Sequence, residues 1–455
     1  MALRSKYMVN VLLSVFNKKM GSAASICLLL AIGTLVLSCS KDETDWNERL
    51  RLPHEKGRRT VFVYMAAQNS LGAKSLHRSD SAEMMAGRKY IAPEDRLLVY
   101  FDDAEKPRIY QIFSDNDKPC LLKQWDVEEN SSNPAHFSEV LRWMQQNVPA
   151  EEYGLVLWSH SDGWLPAFNE QYVRTPRQKS FGIDVGSNGS MIEDVNADGE
   201  IGAQMNITDM ADAIQKTGVH FRYIFFDACI MQGLEVAYDL RKITDFVVAS
   251  PIVIPGNGAY YVNMLKQGLF SEDVTEIAKT YYEDVVSRDL SYIYNGFGLV
   301  ISVIRTDALE PLAETFREVL PRTHLKDNPL TEITEASDYT IYSWRFFYRP
   351  HLYDALQSMR ELCGSEEDYR MVEQAINQAV VYRMGSDLYF VGPDAYAYNE
   401  LKPYYCGVSM FIPQEAYDVN ASVCKYGNLN QLFTRTAWYH AAGWSQVYTM
   451  MPEQE

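Results

Sequence analysis

The sequence predicts an α/β fold in which a mostly parallel sheet is sandwiched by helices, followed by a second, α+β lobe at the carboxyl end. Short apolar runs rich in β-branched and aromatic residues, at 60–65 and 97–101, are typical of strands that are buried on both faces. A helical pattern at 136–146 follows these runs. Strands that alternate with helices favour a parallel sheet.

The remaining predicted elements continue this alternation up to about residue 260. Beyond it, longer helical segments are interleaved with fewer strands. We therefore expect a first lobe at 59–260 and a second lobe at 261–455. In the first lobe, further strands are predicted at 153–158, 222–226 and 245–249, and helices at 207–216 and 231–240. In the second lobe, helices are predicted at 272–288, 309–320, 369–382 and 429–442, and strands at 298–304 and 406–412.

The composition is that of a folded protein with a strong negative charge. The chain has 455 residues, of which 47% are hydrophobic and 13% aromatic, whereas disordered chains are poor in aromatic residues. Its formal net charge of −18 repels the phosphates of nucleic acids, and no lysine-rich block offsets that repulsion. The sequence therefore predicts no nucleic-acid partner.

The first residues have the pattern of a signal peptide. Two lysines precede an apolar run at 26–37, which is too short for a comfortable membrane span and ends close to Cys39. The residues up to this cysteine resemble a bacterial lipobox, in which the cysteine is acylated. We therefore expect a signal peptide at 1–38, a lipid on Cys39 and a polar tether at 39–58. This interpretation implies an exported lipoprotein held on the lipid bilayer at the outer membrane or cell surface; an uncleaved membrane anchor is the alternative.

The cysteines do not have the spacing of a metal site. Of seven cysteines, two lie within the predicted signal peptide or at its end. The others are irregularly spaced without a CxxC pair, so neither a zinc site nor a dense disulfide scaffold is indicated. An odd number in an exported protein leaves at least one free thiol. These cysteines are Cys120, Cys229, Cys363, Cys406 and Cys424.

Reactive side chains follow two of the predicted strands. The strand at 153–158 leads to His160, and the strand at 222–226 leads to Asp227 and Cys229. Ligands bind at the carboxyl ends of strands in a parallel α/β sheet. If the two strands are neighbours, His160 can take the proton of the Cys229 thiol, which in a free cysteine titrates near pH ~8.5. A packed cysteine and a surface histidine are the alternatives.

Other groups near this pair would support nucleophilic catalysis. The helix predicted to begin just after Cys229 would favour a thiolate through its N-terminus. The backbone amides of Ser161 and Cys229 are candidates for an oxyanion hole. Asp227 projects on the same side of its strand as Cys229 and could pair with a guanidinium group in bidentate fashion. The alternative role for Asp227 is to cap the following helix.

Two motifs in these segments resemble those of the clostripain family of cysteine peptidases, relatives of caspases, gingipains and legumains. The first reads Trp-Ser-His-Ser-Asp-Gly-Trp-Leu-Pro at 158–166, and the second reads Asp-Ala-Cys-Ile-Met at 227–231. The resemblance covers about residues 59–265. It implies a caspase-like fold, a catalytic dyad of His160 and Cys229, no cofactor for the chemistry, and hydrolysis of peptide bonds after Arg or Lys.

The resemblance also implies where a peptide or protein substrate binds. Asp227 matches the family position that holds the substrate's Arg or Lys, and Ser250 belongs to a matching Ala-Ser-Pro segment after the next strand. Two positions depart from the family pattern. Ser161 stands where members commonly have glycine, and Pro251 stands where they often have an acidic residue. A caspase-like domain without activity, acting as a binding module at the cell surface, is the alternative function.

The loop between the two motifs contains three basic residues, Arg174, Arg177 and Lys179. The resemblance implies activation by cleavage in this region, and an enzyme that cuts after basic residues could cut itself there. A solvated loop without such a role is the alternative.

One segment after this loop matches the first eight positions of a calcium-binding loop. Asp194, Asn196 and Asp198 supply oxygen ligands at the first, third and fifth positions, and Glu200 is a further candidate ligand. The twelfth position, however, holds Met205 where a bidentate acid is expected. A hairpin turn explains the same residues equally well. Calcium is therefore one of two interpretations of this segment.

Overall fold

A nine-stranded sheet forms the centre of the molecule. The computed structural model describes residues 55–127, 129–166, 180–184, 203–344, 347–391, 398–419 and 426–449. The described strands are β1 (Gly57–Ala66), β2 (Arg96–Asp102), β3 (Arg108–Ile112), β4 (Cys120–Gln124), β5 (Ala150–Trp158), β6 (Ser180–Asp184), β7 (Ala203–Asn206), β8 (Tyr223–Asp227), β9 (Phe246–Ala249), β10 (Val300–Arg305), β11 (Asp338–Trp344), β12 (Phe347–Asp354), β13 (Val380–Gly385), β14 (Leu388–Phe390), β15 (Tyr398–Glu400) and β16 (Ser409–Met410).

The strands of the central sheet lie in the order β13-β10-β9-β8-β5-β1-β2-β3-β4. Those from β9 to β2 are parallel to one another, and those on either side are antiparallel. Strands β1 and β8 are buried along nearly their whole length, as their continuous apolar runs predict. The prediction of a mostly parallel sheet is confirmed.

Helices cover both faces of this sheet, because alternate residues of each strand point to opposite sides. Val63 of β1 shares one core with Met84 and Tyr281, whereas Tyr64 packs edge-on against Phe137 on the other face, with ring centroids 4.9 Å apart. The described helices are α1 (Ser70–Ala73), α2 (Leu76–Gly87), α3 (Pro134–Asn147), α4 (Ile207–Gln215), α5 (Leu234–Leu240), α6 (Tyr261–Asn263), α7 (Thr275–Val286), α8 (Ser291–Tyr294), α9 (Leu309–Val319), α10 (Ala355–Leu362), α11 (Glu366–Ala379), α12 (Leu429–Phe433) and α13 (Ala437–Ala441).

Two helices of the predicted second lobe end early or are divided. The helix predicted at 369–382 is wrong at its end, because α11 stops at Ala379 and the next residues form β13. Two valines and a tyrosine have high strand propensity, and pairing with β10 satisfies their backbone groups. The helix predicted at 429–442 is divided into α12 and α13, because the side chain of Thr436 caps a new helix.

The central sheet continues past the predicted boundary near residue 260. Strands β10 and β13 come from beyond that residue, whereas β11, β12 and β16 form a small sheet of their own. The described part of the chain from Glu55 onward forms one compact unit. Residues 1–54, which include the predicted signal peptide, Cys39 and most of the tether, lie outside the described residues. Within the ranges that are described, no helix is long and apolar enough to cross a membrane.

Candidate active site

The two strands that lead to the predicted dyad are neighbours in the sheet. Strand β5 pairs with β8 in parallel, and their last paired residues are Trp158 and Asp227. His160 and Cys229 each lie two residues beyond this last pair. The sheet therefore brings both residues to the same edge, at the carboxyl ends of adjacent parallel strands, where ligands bind in α/β folds.

The turn that carries His160 is fixed by residues from the end of β1. The Ser159 hydroxyl donates a hydrogen bond to the Ala66 carbonyl at 2.8 Å. The Nε2 atom of His160 lies 3.0 Å from the Ser70 hydroxyl oxygen. On the other side of the turn, the Gly182 amide donates to the His160 carbonyl at 3.0 Å, so β6 lies alongside it.

The turn that carries Cys229 is held by residues from later in the chain. Ile230 has φ of 60°, in the left-handed region that β-branched residues rarely adopt. The amide of Ile230 donates to the Ile252 carbonyl at 3.0 Å, and the amide of Gln232 donates to the Ser250 carbonyl at 3.1 Å. After Cys229 the chain therefore makes a turn at Ile230 and then an extended, non-helical stretch up to Gly233.

This extended segment corrects one expectation about the nucleophile. The helix predicted at 231–240 begins only at Leu234, because Gln232 and Gly233 pair with Ser409 from the small sheet. The helix N-terminus is therefore five residues from Cys229, and its first turn contains the buried Glu235. Its dipole does not act directly on the thiol, because that effect falls off within the first turn.

The two turns contact each other directly. The Ser161 hydroxyl donates a hydrogen bond to the Cys229 carbonyl. Gly163 has φ of +62°, and a Cβ atom there would lie 2.7 Å from the Ile230 carbonyl oxygen. Only glycine fits this close approach without strain. The serine that replaces the family's usual glycine thus links the two turns, while the role of its backbone amide in an oxyanion hole stays a prediction.

The surroundings of Cys229 disfavour its ionisation. The residue is partly exposed, but it packs against the main hydrophobic core. This burial raises the pKa of the Cys229 thiol to about 11, and the negative charges of Asp162 and Asp227 act in the same direction. The resting thiol therefore keeps its proton at neutral pH, so nucleophilic chemistry here requires a base that removes it.

Asp227 is buried and does not cap a helix. Its carboxylate accepts hydrogen bonds from the Ala259 amide at 3.1 Å and from the Tyr261 hydroxyl at 2.9 Å. Burial raises the pKa of Asp227 to about 6, and these hydrogen bonds oppose the shift. The capping alternative is wrong because α5 is preceded by Gly233.

Asp80 and Glu83 lie close enough to Asp227 for its charge to act on them, and Asp284 acts in turn on Glu83. The sequence reasoning missed all three carboxyl groups. Burial raises the pKa of Asp80 well above its usual range and that of Glu83 to about 7, and the charge of Asp227 adds to both shifts. Burial also raises the pKa of Asp284 to about 6. The signal that could have found two of them is the spacing of Asp80 and Glu83, which places both on one side of helix α2.

Other predicted site residues have different surroundings. Ser250 is buried, and its hydroxyl bonds within its own turn to the carbonyl and amide of Ile252. Met205, at the twelfth position of the calcium-like segment, is buried in β7 and supplies no ligand. Strands β6 and β7 are antiparallel, and the segment between them, on which the calcium and hairpin alternatives differ, lies outside the described residues. No metal-binding group of three or more His, Cys, Asp or Glu occurs among the residues that are described. Arg174, Arg177, Lys179, Asp194, Asn196, Asp198 and Glu200 lie outside the described residues.

Residues from the carboxyl-terminal half pack against both turns. Trp164 contacts the Phe411 ring, with centroids 4.8 Å apart. The Tyr426 hydroxyl donates to the Asp162 carboxylate at 3.0 Å. The predicted second lobe thus contributes to the site by supporting the catalytic turns.

Comparisons with known proteins agree with this geometry. The model of the clostripain family matches residues 63–449, and no curated protein matches. One similar solved structure is a secreted C11 cysteine protease from Bacteroides thetaiotaomicron in complex with an irreversible peptide inhibitor. It is 28% identical in sequence and has a TM-score of 0.69, and the match covers 86% of this chain and 100% of that protein's chain. A second is an inactive zymogen C11 protease from Parabacteroides distasonis, which is 27% identical and has a TM-score of 0.66. That match covers 87% of this chain and 99% of the zymogen's chain. The chain therefore belongs to the clostripain family of cysteine peptidases.

Proposed function

We propose that this chain is an endopeptidase that cleaves after Arg or Lys, with Cys229 as nucleophile and His160 as general base. The observation that carries the proposal is the buried Asp227 carboxylate, which lies two residues before Cys229 on the strand beside that of His160. A buried carboxylate near the nucleophile is suited to bind a cationic side chain, because the ion pair is poorly screened there.

The reaction proceeds in two steps that the two turns can support. His160 takes the thiol proton, and the sulfur attacks the peptide carbonyl carbon while the backbone amides of Ser161 and Cys229 stabilise the oxyanion. The C–N bond then breaks, and the imidazolium returns the proton to the leaving amine. A water molecule, deprotonated by His160, hydrolyses the thioester and restores the thiol.

The electrostatic surroundings of Asp227 support a basic substrate. Burial raises the pKa values of Asp80, Glu83, Asp227 and Asp284, and repulsion from the Asp227 charge adds to the shifts of Asp80 and Glu83. An arginine or lysine side chain beside Asp227 would relieve that repulsion. Glu83, which is only partly buried, provides on helix α2 the second acid that the sequence lacks after Ser250.

The test uses the purified chain from residue 40 onward with Arg, Lys, Leu and Asp reporter peptides. We expect thiol-dependent cleavage after Arg and Lys that disappears in Cys229→Ala. Cys120→Ala is the matched control, because Cys120 lies on strand β4 at the sheet edge. Turnover of Leu peptides at the Arg rate would contradict the specificity, and no thiol-dependent turnover of any peptide library would favour a binding module.

The export route is a separate proposal that rests on the sequence. We propose that Cys39 is acylated after removal of residues 1–38 and holds the enzyme on a membrane by a polar tether. Mass spectrometry of the membrane fraction is expected to show a diacyl or triacyl group on the amino-terminal cysteine. An unmodified, soluble protein carrying Cys39 would contradict it.

Self-cleavage and calcium binding are the remaining sequence-based proposals. Cleavage after Arg174, Arg177 or Lys179 is expected to give two fragments in the wild type and one chain in Cys229→Ala. Replacing all three basic residues without effect on maturation or activity would exclude this route. For calcium, isothermal titration of the purified protein without heat of binding would exclude a site at Asp194.

A further inference from the structure

His160 has a hydroxyl partner that neither motif contains. The Ser70 oxygen lies 3.0 Å from Nε2 of the imidazole, and Ser70 is only 6% exposed. Ser70 is the first residue of α1, four residues after the end of β1. Because β1 is the strand next to β5, a third strand end contributes to the site.

Ser70 is held in a fixed position relative to the histidine turn. The preceding Asn69 is 1% exposed, and its side chain makes hydrogen bonds to each of the segments that meet here. Its oxygen accepts from the backbone of α1, and its nitrogen donates to the end of β1, to the residue before His160 and to β6. The partners are the amides of Leu71 and Gly72, the carbonyls of Ala66 and Ile183, and the Ser159 hydroxyl.

We propose that Ser70 is a positioning residue for catalysis, whose hydroxyl oxygen accepts the Nε2 proton of His160 and so directs Nδ1 to act as the base toward Cys229. This inference rests on the proposed dyad. If Ser70 instead donated to Nε2, the ring proton would be on Nδ1, and that nitrogen could not accept the thiol proton. The direction from ring to serine is the one compatible with general-base catalysis.

A hydroxyl suits this task better than a carboxylate would. The oxygen of Ser70 can accept the Nε2 proton both before and after the ring is protonated, so the orientation is kept through the reaction. A carboxylate would stabilise the imidazolium more strongly and leave less neutral base. The acid nearest in sequence, Asp162, accepts a hydrogen bond from Tyr426 at 3.0 Å and so is tied to the carboxyl-terminal half.

The test compares Ser70→Ala and Ser70→Thr in the chain from residue 40 onward, with Ser79→Ala on the exposed side of α2 as control. We expect Ser70→Ala to lower kcat/KM by about 10- to 100-fold, part of the general-base contribution, with KM nearly unchanged. The pH profile for alkylation of Cys229 by iodoacetamide is expected to shift to higher pH. Ser70→Thr, which keeps the hydroxyl, is expected to stay within about threefold of the wild type.

Two outcomes would overturn the inference. Ser70→Ala with a wild-type kcat/KM and alkylation profile would show that the hydroxyl does not position the ring. Equal losses in Ser70→Ala and Ser70→Thr, with a lowered melting temperature in both, would show a packing role. If wild-type turnover does not depend on Cys229 and His160, the proposed dyad itself is wrong. Comparing the wild type with Cys229→Ala and His160→Ala shows this before any Ser70 variant is measured.

Discussion

The hydrogen bonds next to His160 and next to Cys229 come from different parts of the chain, although Phe411 and Tyr426 of the carboxyl-terminal half also contact the His160 turn. The His160 turn is fixed by residues close to it in the fold's amino-terminal half, among them Ala66 and Ser70. The Cys229 turn is fixed by later residues, through Ile252 and the small sheet that contains Ser409. The proposed base is thus held mainly by residues that precede it in the chain, whereas the proposed nucleophile is held by residues that follow it.

The difference also extends to backbone strain and charge. Ile230, next to the nucleophile, has a left-handed backbone conformation, and burial raises the pKa of the Cys229 thiol to about 11. The contacts around Cys229 therefore maintain a strained backbone and a protonated thiol, and the proposed base must act against the second of these when it takes the proton. The proposed function then requires both sets of supporting contacts, those of the His160 turn and those of the Cys229 turn. The following variants test each set.

The largest effect is expected when the base is removed. His160→Ala removes the proposed base from a thiol whose ionisation burial already disfavours, so kcat/KM is expected to fall by about 10² to 10⁴, the usual contribution of a general base. The rate of iodoacetamide alkylation should then rise with pH up to about pH 11. Alkylation at pH 7 as fast as in the wild type would show that another group activates the thiol. His220→Ala, at an exposed site, is the control.

A smaller but substrate-selective effect is expected at Asp227, the proposed specificity carboxylate. Asp227→Asn is expected to lower kcat/KM on an Arg peptide by about 100-fold, the scale of losing one partner of a buried ion pair. The slow turnover of a Leu peptide should change little, because no charge is paired there. Asp212→Asn, on the exposed side of α4, is the control. Equal losses on both peptides would place Asp227 in the support of the Cys229 turn instead.

The sequence was sufficient to place the proposed dyad at one edge of the sheet but not to find the residues that hold it. His160 and Cys229 could be predicted because each follows an apolar strand, and a strand's end is visible in sequence. Ser70 could not, because its relevance depends on which strand ends become neighbours. The late start of α5 was also hidden: the residues after Cys229 have a helical pattern, but hydrogen bonds to Ile252 and Ser409 override it.

The pH dependence should separate binding of the basic side chain from the chemistry. The pKa of Asp227 is about 6, and its ion pair with an Arg side chain requires the ionised form. The ratio of kcat/KM for Arg over Leu peptides is therefore expected to fall about tenfold per pH unit below pH 6, because the thiol and histidine titrations cancel in the ratio. A ratio that is constant from pH 7 to pH 5 would contradict an ionised Asp227 in specificity.

The same group affects stability with the opposite sign. The pKa of Asp227 is raised from an ordinary value of 3.8, so the folded state favours the protonated carboxyl. Its contribution to stability is present at low pH and is lost as the pH rises from about 4 to about 6. Unfolding of Asp227→Asn should therefore depend less on pH over this interval, as denaturant titrations can measure. An unchanged pH dependence would show that other carboxyls dominate it.

The close contact between the two turns can be broken with a single methyl group. In Gly163→Ala the new Cβ would lie 2.7 Å from the Ile230 carbonyl oxygen, so the Cys229 turn must move. Gly218→Ala is a close control, because Gly218 also has positive φ but nothing lies within 4 Å of its added Cβ. We expect Gly163→Ala to lose ~2 kcal/mol more unfolding free energy than the control and about tenfold in kcat/KM. Equal losses of unfolding free energy and of kcat/KM in Gly163→Ala and Gly218→Ala would mean that the close contact between the two turns does not hold the Cys229 turn in place.

The smallest effect is expected where this chain departs from its family. Ser161→Gly restores the family's usual residue and removes the hydroxyl that donates to the Cys229 carbonyl. One hydrogen bond contributes about 1 kcal/mol, so we expect a loss of kcat/KM of less than about tenfold. The loss should be in kcat, because the contact aligns the nucleophile with its base and does not touch the substrate. Ser161→Ala removes the same hydroxyl without adding glycine's flexibility. Ser161→Gly could be faster than the wild type while Ser161→Ala is slower. The backbone freedom of the His160 turn would then matter more for kcat than its hydrogen bond to the Cys229 carbonyl, and the two turns would depend on each other less than their contacts indicate.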